Sequence, residues 1–442
     1  MVRIGLMASR IFTSNRREFM AGLGASTLGQ ILPANAAVAG AQPLPIRAKT
    51  TSLTLRPGQA ETQVWSLEGP SPSLRFKRGN ELAIALQNDL PAPLGLSWYG
   101  LDGVPSAEPL IGQAPAAPGA KASVTAALRH AGTLFADLRL FSDGAGHLSR
   151  ALALIVEERE PPAVDRDEVF LIEDFRLRTD GTAVSLGSDA KDTTPFYAVN
   201  GRILPDIAVQ SNHRLRLRFI NACQRHVVAV KIDGLEVRVM AMDSQPAEPF
   251  AARNSALVLA PGGRADAFVD ATSRPGSTSE ILLHDGKEAR PIARLVTSAA
   301  PAARTMPLPI APPLPPNRLP AQLDLRSAQR SELALNGTEW TTLANFSATA
   351  SPAFRVKPGR VVVVALTNRA SIATVFHLHG HHFRLLDRLD DGWKPYWLDT
   401  LALQPGETQR IAFLAEYAGR YLLESTATDW AAPRLVRWYA VE

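Results

Sequence analysis

The chain has 442 residues, 46% hydrophobic and 20% charged, with thirty glycines, thirty-four prolines, one cysteine and a formal net charge of +5. That length exceeds what one core usually serves and gives two to four domains at about 100–200 residues each, while a single cysteine excludes an intramolecular disulfide. Arg3, Arg10, Arg16 and Arg17 against Glu18 place a net +3 near the start and leave +2 for the rest, and no basic stripe with interleaved aromatics supports nucleic-acid binding.

In chain order, Asn15-Arg16-Arg17-Glu18-Phe19-Met20 precedes a mildly apolar run from Ala21 to Leu32, then Ala34-Asn35-Ala36 and Ala37-Val38-Ala39. These parts, in this order, predict a twin-arginine export signal over residues 1–39, cleaved near Ala36 or Ala39. The run is too short and glycine-rich to span a bilayer, so the mature protein is expected in the periplasm, not as an integral membrane protein.

Alternating segments such as Ser73 to Phe76 and Glu81 to Leu86, separated by Arg78-Gly79-Asn80 and Pro91-Ala92-Pro93, predict short half-buried strands. A first β domain over 47–160 ends at the charged, proline-marked stretch after Val156. A second, over 165–300, contains Val169 to Glu173, Leu215 to Ile220 and Ala256 to Leu259 as strands. Residues 301–320 carry eight prolines, which deny ladder hydrogen bonds and predict an extended linker. A third domain, 321–442, has strands at Val361 to Leu366 and Arg410 to Leu414. The fold class is all-β.

Phe376 to Phe383 gathers four of the nine histidines. In an unbroken strand His377, His379 and His381 share one face and His382 takes the other, an arrangement suited to converging on a metal, for which imidazole is the commonest ligand.

Four phrases in order resemble the three-domain multicopper oxidases across the mature chain: Leu74 to Leu90 with Trp98 to Pro105, Leu215 to Ala222, Phe376 to Phe383, and Asp399 to Glu407 with Gly419-Arg420-Tyr421. The resemblance implies three cupredoxin-like Greek-key β-sandwich domains, a blue copper held by one cysteine and two histidines, and a three-copper cluster held by four His-x-His pairs. Here the first pair falls on Ser97 and Tyr99, and the second on Asp137 and Arg139. The third survives as His377 and His379. The fourth, with the blue-copper cysteine between its members, falls on Glu424, Ser425 and Thr426, and the flanking blue-copper histidines on Thr374 and Trp430. The only cysteine, Cys223, lies in the second domain, whose family counterpart binds no copper, and reads as a small buried side chain. The ligand pattern is therefore degenerate, and no cofactor is expected unless copper binds a residual site.

Two readings follow. In one, the chain is a non-enzymatic periplasmic binding or structural protein of the cell envelope with an envelope protein as partner, similar in kind to an exported division protein that keeps the oxidase fold without its coppers. An ion-pair and hydrogen-bond network then replaces the metals, with Arg139 pairing Asp137 or Glu424. In the other, His377 and His379, optionally with His381, hold copper, as a carrier or a residual copper-dependent oxidoreductase; the two imidazoles with the Asp137 and Glu424 carboxylates are a set that could also bind a divalent ion. His381 is expected to pack near the site and His382 to face away. The Trp393 to Trp397 segment reads as an aromatic cover over the third domain.

Overall fold

Among the described residues, short runs of β-branched and aromatic residues, cut by glycine and proline turns, build six sheets in three pairs. The computed structural model describes residues 42–387, 392 and 394–442; the export signal expected over residues 1–39 and Trp393 lie outside the described residues. The first pair sets Thr62–Glu68, Leu44–Leu53, Glu81–Asn88 and Lys121–Ala127 against Ser73–Lys77, Leu152–Glu157, Gly132–Asp137 and Ser97–Tyr99. Alternate residues such as Leu82, Ile84 and Leu86 meet Leu134, Leu154 and Val156 between the sheets, the expected consequence of a two-residue side-chain period.

The second pair is centred on Arg214–Asn221, flanked by Arg166–Leu177 and Arg264–Asp270. Leu215, Leu217 and Phe219 enter its core. The intervening arginines do not face water: Arg216 and Arg218 are 1% and 0% exposed. Arg216 donates to Glu158 at 2.8 and 2.9 Å and to Asp266 at 2.6 Å, and Arg218 donates to Asp167 at 2.6 and 2.7 Å and to Thr133 at 2.9 Å. This charged face packs on the first pair of sheets, and each buried guanidinium has the carboxylate that burial demands.

The third pair sets Gln329–Leu335, Arg360–Asn368, Thr408–Ala415 and Arg384–Leu385 against Arg434–Val441, Gly419–Ala427, Thr374–Leu378 and Thr400–Leu403, with two short strands at its margin. The expected aromatic cover is present in its described part: Trp397 packs on Leu323, Val363 and Leu386. Residues 301–320 form no strand, yet they are more than a spacer. Leu314 and Asn317 are buried, and Asn317 hydrogen-bonds Ala131 through both amide atoms.

Candidate functional site

Two antiparallel pairings place the ligand-position residues. Ser97–Tyr99 pairs with Gly132–Asp137, so that Ser97 faces Asp137, and Thr374–Leu378 pairs with Gly419–Ala427, so that His377 faces Glu424. The two pairings meet where the Tyr99 ring stacks on His377 at 4.0 Å between centroids, with Phe135 behind it at 4.4 Å. Tyr99, Asp137, Arg139, His377, His379 and Glu424 thus come together. Burial pushes the Tyr99 phenol well above its ordinary value.

His379 lies between two carboxylates. Its Nδ1 meets Glu108 Oε1 at 2.7 Å and its Nε2 meets Glu424 Oε1 at 2.9 Å. Both nitrogens must donate, which makes the ring an imidazolium. Burial alone would lower its pKa, but Glu108 and Glu424 outweigh burial and raise it to about 10. Arg434 Nη1 donates to Glu424 Oε2 at 2.6 Å. Burial would raise the Glu424 carboxyl, but Arg434 and His379 hold it far below the usual range. Behind them, Asp143 accepts from Arg225 at 2.9 Å on each oxygen.

His377 differs from its neighbour. Its Nδ1 lies 3.1 Å from both Asp399 O and Thr400 Oγ1, and the Thr400 hydroxyl itself donates to Asp399, so Nδ1 carries the proton. Nε2 is buried without a hydrogen-bond partner among the described residues. Burial, then the positive charge of His379, lowers this ring's pKa to about 3. It is neutral with a free lone pair.

Arg139 pairs with Asp137, as expected, because the strand ends at Asp137 and Arg139 opens the short buried helix Arg139–Gly144. Its Nη1 donates to Cys223 O at 2.6 Å, and the guanidinium lies 5.3 Å from the Tyr99 ring centroid. The Cys223 thiol is buried, which pushes its pKa well up.

The other histidines correct the one-face expectation. The strand ends at Leu378 and Gly380 has φ +75°, with no room for a Cβ against Tyr421, so side-chain alternation stops there. His381 leaves the pair for a nest of Phe413, Tyr417, Tyr421 and Tyr439, and its Nδ1 donates to Tyr439 Oη at 2.7 Å. Burial lowers its pKa to about 4. His382 does not face away. Its Nδ1 meets Asp102 Oδ2 at 2.7 Å and its Nε2 meets Asp243 O at 2.6 Å. Burial opposes protonation, but Asp102 raises this ring to about 8. Beside it, Arg264 clamps Asp399 at 2.7 and 2.8 Å and donates to Thr133 O at 3.2 Å, linking all three sheet pairs.

Two of the residues expected at blue-copper positions, Thr374 and Ser425, form a separate, neutral cluster with Asn336. Asn336 Nδ2 donates to Thr374 Oγ1 at 3.0 Å, and Ser425 Oγ donates to Asn336 Oδ1 at 3.2 Å. Trp430 is not part of it: the indole packs with Leu148, Phe175 and Val184 and donates to Ser185 O at 3.0 Å. Thr426 lies opposite Arg434 in the strand pairing, and Ser97 Oγ is buried without a partner. Sequence reasoning missed Glu108, Arg434 and Asn336. The first two were signalled only by the rule that a buried ion needs a counter-ion.

A metal needs free lone pairs. Both nitrogens of His379 are occupied, the Asp137 and Glu424 carboxylates are taken by arginines, and Arg139 and Arg434 add two permanent positive charges. Among the described residues no group of three or more His, Cys, Asp and Glu side chains could hold an ion. His377 Nε2 is the free nitrogen of the pair.

The comparisons agree with the architecture. Multicopper oxidase, a copper-binding family, matches residues 172–278 and 315–442. The multicopper oxidase MmcO of Mycobacterium tuberculosis is 24% identical over 460 aligned positions, covering 88% of this chain and 86% of its own. Laccase-8 of Oryza sativa subsp. japonica is 25% identical over 233, covering 47% and 41%. The crystal structure of a multi-copper oxidase from Pseudomonas Thermotolerans superimposes with a TM-score of 0.79 at 23% identity, over 91% of this chain and 99% of that one. Lac15 from a marine microbial metagenome gives 0.74 at 25%, over 90% and 100%. With the paired sheets of the described residues and family matches over more than half of the chain, the protein belongs to the multicopper oxidase superfamily.

Proposed function

We propose that this chain is an exported multicopper-oxidase-like protein that has lost the blue-copper site and most of the three-copper site, and that it serves as a non-enzymatic binding or structural protein of the cell envelope. Each pair of sheets is taken as one domain, over 47–160, 165–300 and 321–442. The observation that carries the reading is the capture of His379 between Glu108 and Glu424, with Arg434 completing the charge balance. An imidazolium cannot ligate copper, and releasing its protons would leave Glu108 and Glu424 buried with less positive charge to compensate them. Export by the twin-arginine pathway to the periplasm belongs to the same proposal and rests on Asn15 to Ala39. Among the described residues no helix is long and apolar enough to cross a membrane.

A second reading has one specific support. The unpartnered, neutral Nε2 of His377 is chemically competent to bind copper, which favours a copper-binding protein or a residual copper-dependent oxidoreductase using His377 and His379. Copper titration of the purified mature chain, read by mass-spectrometric stoichiometry with oxidation of a phenol and of Cu(I), separates the two. The first reading expects no stoichiometric copper and no oxidation. One retained copper, lost in the His377→Ala, His379→Ala double variant, would replace it with the second.

A further inference from the structure

The proline-rich strap has a regular periodicity of three. Leu308, Ala311, Leu314 and Asn317 are turned inward, half-buried or buried, while the residues between them are exposed. Three residues per turn is the repeat of the polyproline II helix, whose φ proline imposes. Among the described residues, 304–317 make no backbone-to-backbone hydrogen bond, in keeping with a conformation that has no internal ones, and Arg318, at φ +68°, ends the run. Two outer ridges result. One carries Met306, Pro309, Pro312 and Pro315; the other carries Pro307, Ile310, Pro313 and Pro316. At ~3.1 Å per residue they run for about 30 Å.

The strap is held rigidly from beneath. Arg214 donates to Leu308 O and Pro309 O at 2.9 and 2.7 Å, Leu314 packs on Met240 and Phe268, and Asn317 is locked to Ala131. The side chains of the outer ridges point away from these anchors: Met306 is 73% and Ile310 79% exposed, and no charged side chain lies between Arg304 and Arg318. A strap serving only as a tether gains nothing from an apolar outer face in water.

Its C-terminal end is electropositive. Arg78 donates to Pro316 O at 3.1 Å and to Arg129 O at 2.9 Å, and with the exposed Arg159 and Arg318 it forms a group of three guanidiniums without a carboxylate partner among the described residues. Burial and the like charges of Arg318 and Arg159 depress the Arg78 pKa, as unneutralised neighbours do.

We infer that the strap is a preformed polyproline II ligand, read by an aromatic-lined groove with an acidic margin on a second envelope protein. The ridges supply the proline and aliphatic knobs such grooves accept, the arginine group supplies the charge complement, and rigidity removes most of the ordering cost of binding. This deepens the binding-protein reading and rests on it for its place in the cell.

The test titrates the full mature chain into an isotope-labelled SH3 domain with an acidic rim beside its aromatic groove, used as the probe. Saturable shifts confined to the groove are expected, weakened about tenfold by Met306→Ser with Ile310→Ser, which touch only exposed side chains, and about tenfold by Arg159→Glu with Arg318→Glu, the latter with loss of salt dependence. Unchanged thermal unfolding checks that the variants fold. No groove shifts, or shifts indifferent to both variants, overturn the inference. In cells, a photo-crosslinker at 306 or 310 that joins two copies of this chain, or labels lipid no less than one at Val258, overturns it as well. Failure here with a copper-free protein leaves the binding-protein reading intact; copper-dependent oxidation beside intact strap binding removes that reading and not this one.

Discussion

The centre around His377 and His379 and the cluster around Thr374 and Ser425, both at positions that the family resemblance was expected to give to copper ligands, are satisfied by opposite means. The first is ionic: an imidazolium, two glutamates and Arg434 in one hydrogen-bonded chain. The second is neutral: one amide, Asn336, joins two hydroxyls. The difference follows from the side chains present. A buried histidine between glutamates is a charge, and a buried charge calls for others until the sum balances. Small hydroxyls need only a donor and an acceptor.

The largest test of that contrast is Glu424→Gln, which removes the anion shared by His379 and Arg434 and leaves positive charge buried. A loss of about 3–5 kcal/mol is expected, measured by denaturant unfolding; a loss under about 1 kcal/mol would mean that the ionic centre is not balanced as described.

Next comes pH. His379 and His382 have folded pKa values raised to about 10 and about 8 above an unfolded value of roughly 6.5. Their stabilisation is fully present below pH ~6.5 and is lost as pH rises, through about 8 for His382 and about 10 for His379. His377 and His381, lowered to about 3 and about 4, act in the other direction: stability falls as the medium is acidified below pH ~6.5. Unfolding midpoints should therefore decline on both sides of near-neutral pH, and His379→Gln should flatten the alkaline limb. An identical limb in that variant would contradict the imidazolium.

Asn336→Ala should have the smallest effect. It removes two neutral hydrogen bonds at a residue with φ +58°, costing about 1–2 kcal/mol with no change in pH profile. If Asn336→Ala cost more than Glu424→Gln, the two regions would have exchanged roles.

Much of the architecture was legible in the residues. Leu215 to Ile220 is a strand by its alternation, and Val361 to Leu366 and Arg410 to Leu414 are strands as short apolar runs between turn signals; they lie within the observed Arg214–Asn221, Arg360–Asn368 and Thr408–Ala415. The pairing of Arg139 with Asp137 was legible too, since the two are near in sequence and opposite in charge. The orientation of His382 was not, because a strand rule was carried past Gly380, where a positive φ ends the strand. Nor were Glu108 and Arg434, each brought to the histidines from a distant segment.

The amino-acid sequence by itself determined the all-β class and the succession of strands, because those depend on local periodicity and on motifs read along the chain. Only the tertiary structure decided which charges meet, that Arg216 and Arg218 face a neighbouring sheet and not water, that His379 is doubly held while His377 keeps a bare nitrogen, and that the proline segment shows two faces outward. Burial and counter-ion choice are set by contacts between segments up to hundreds of residues apart, and no local pattern encodes those distances.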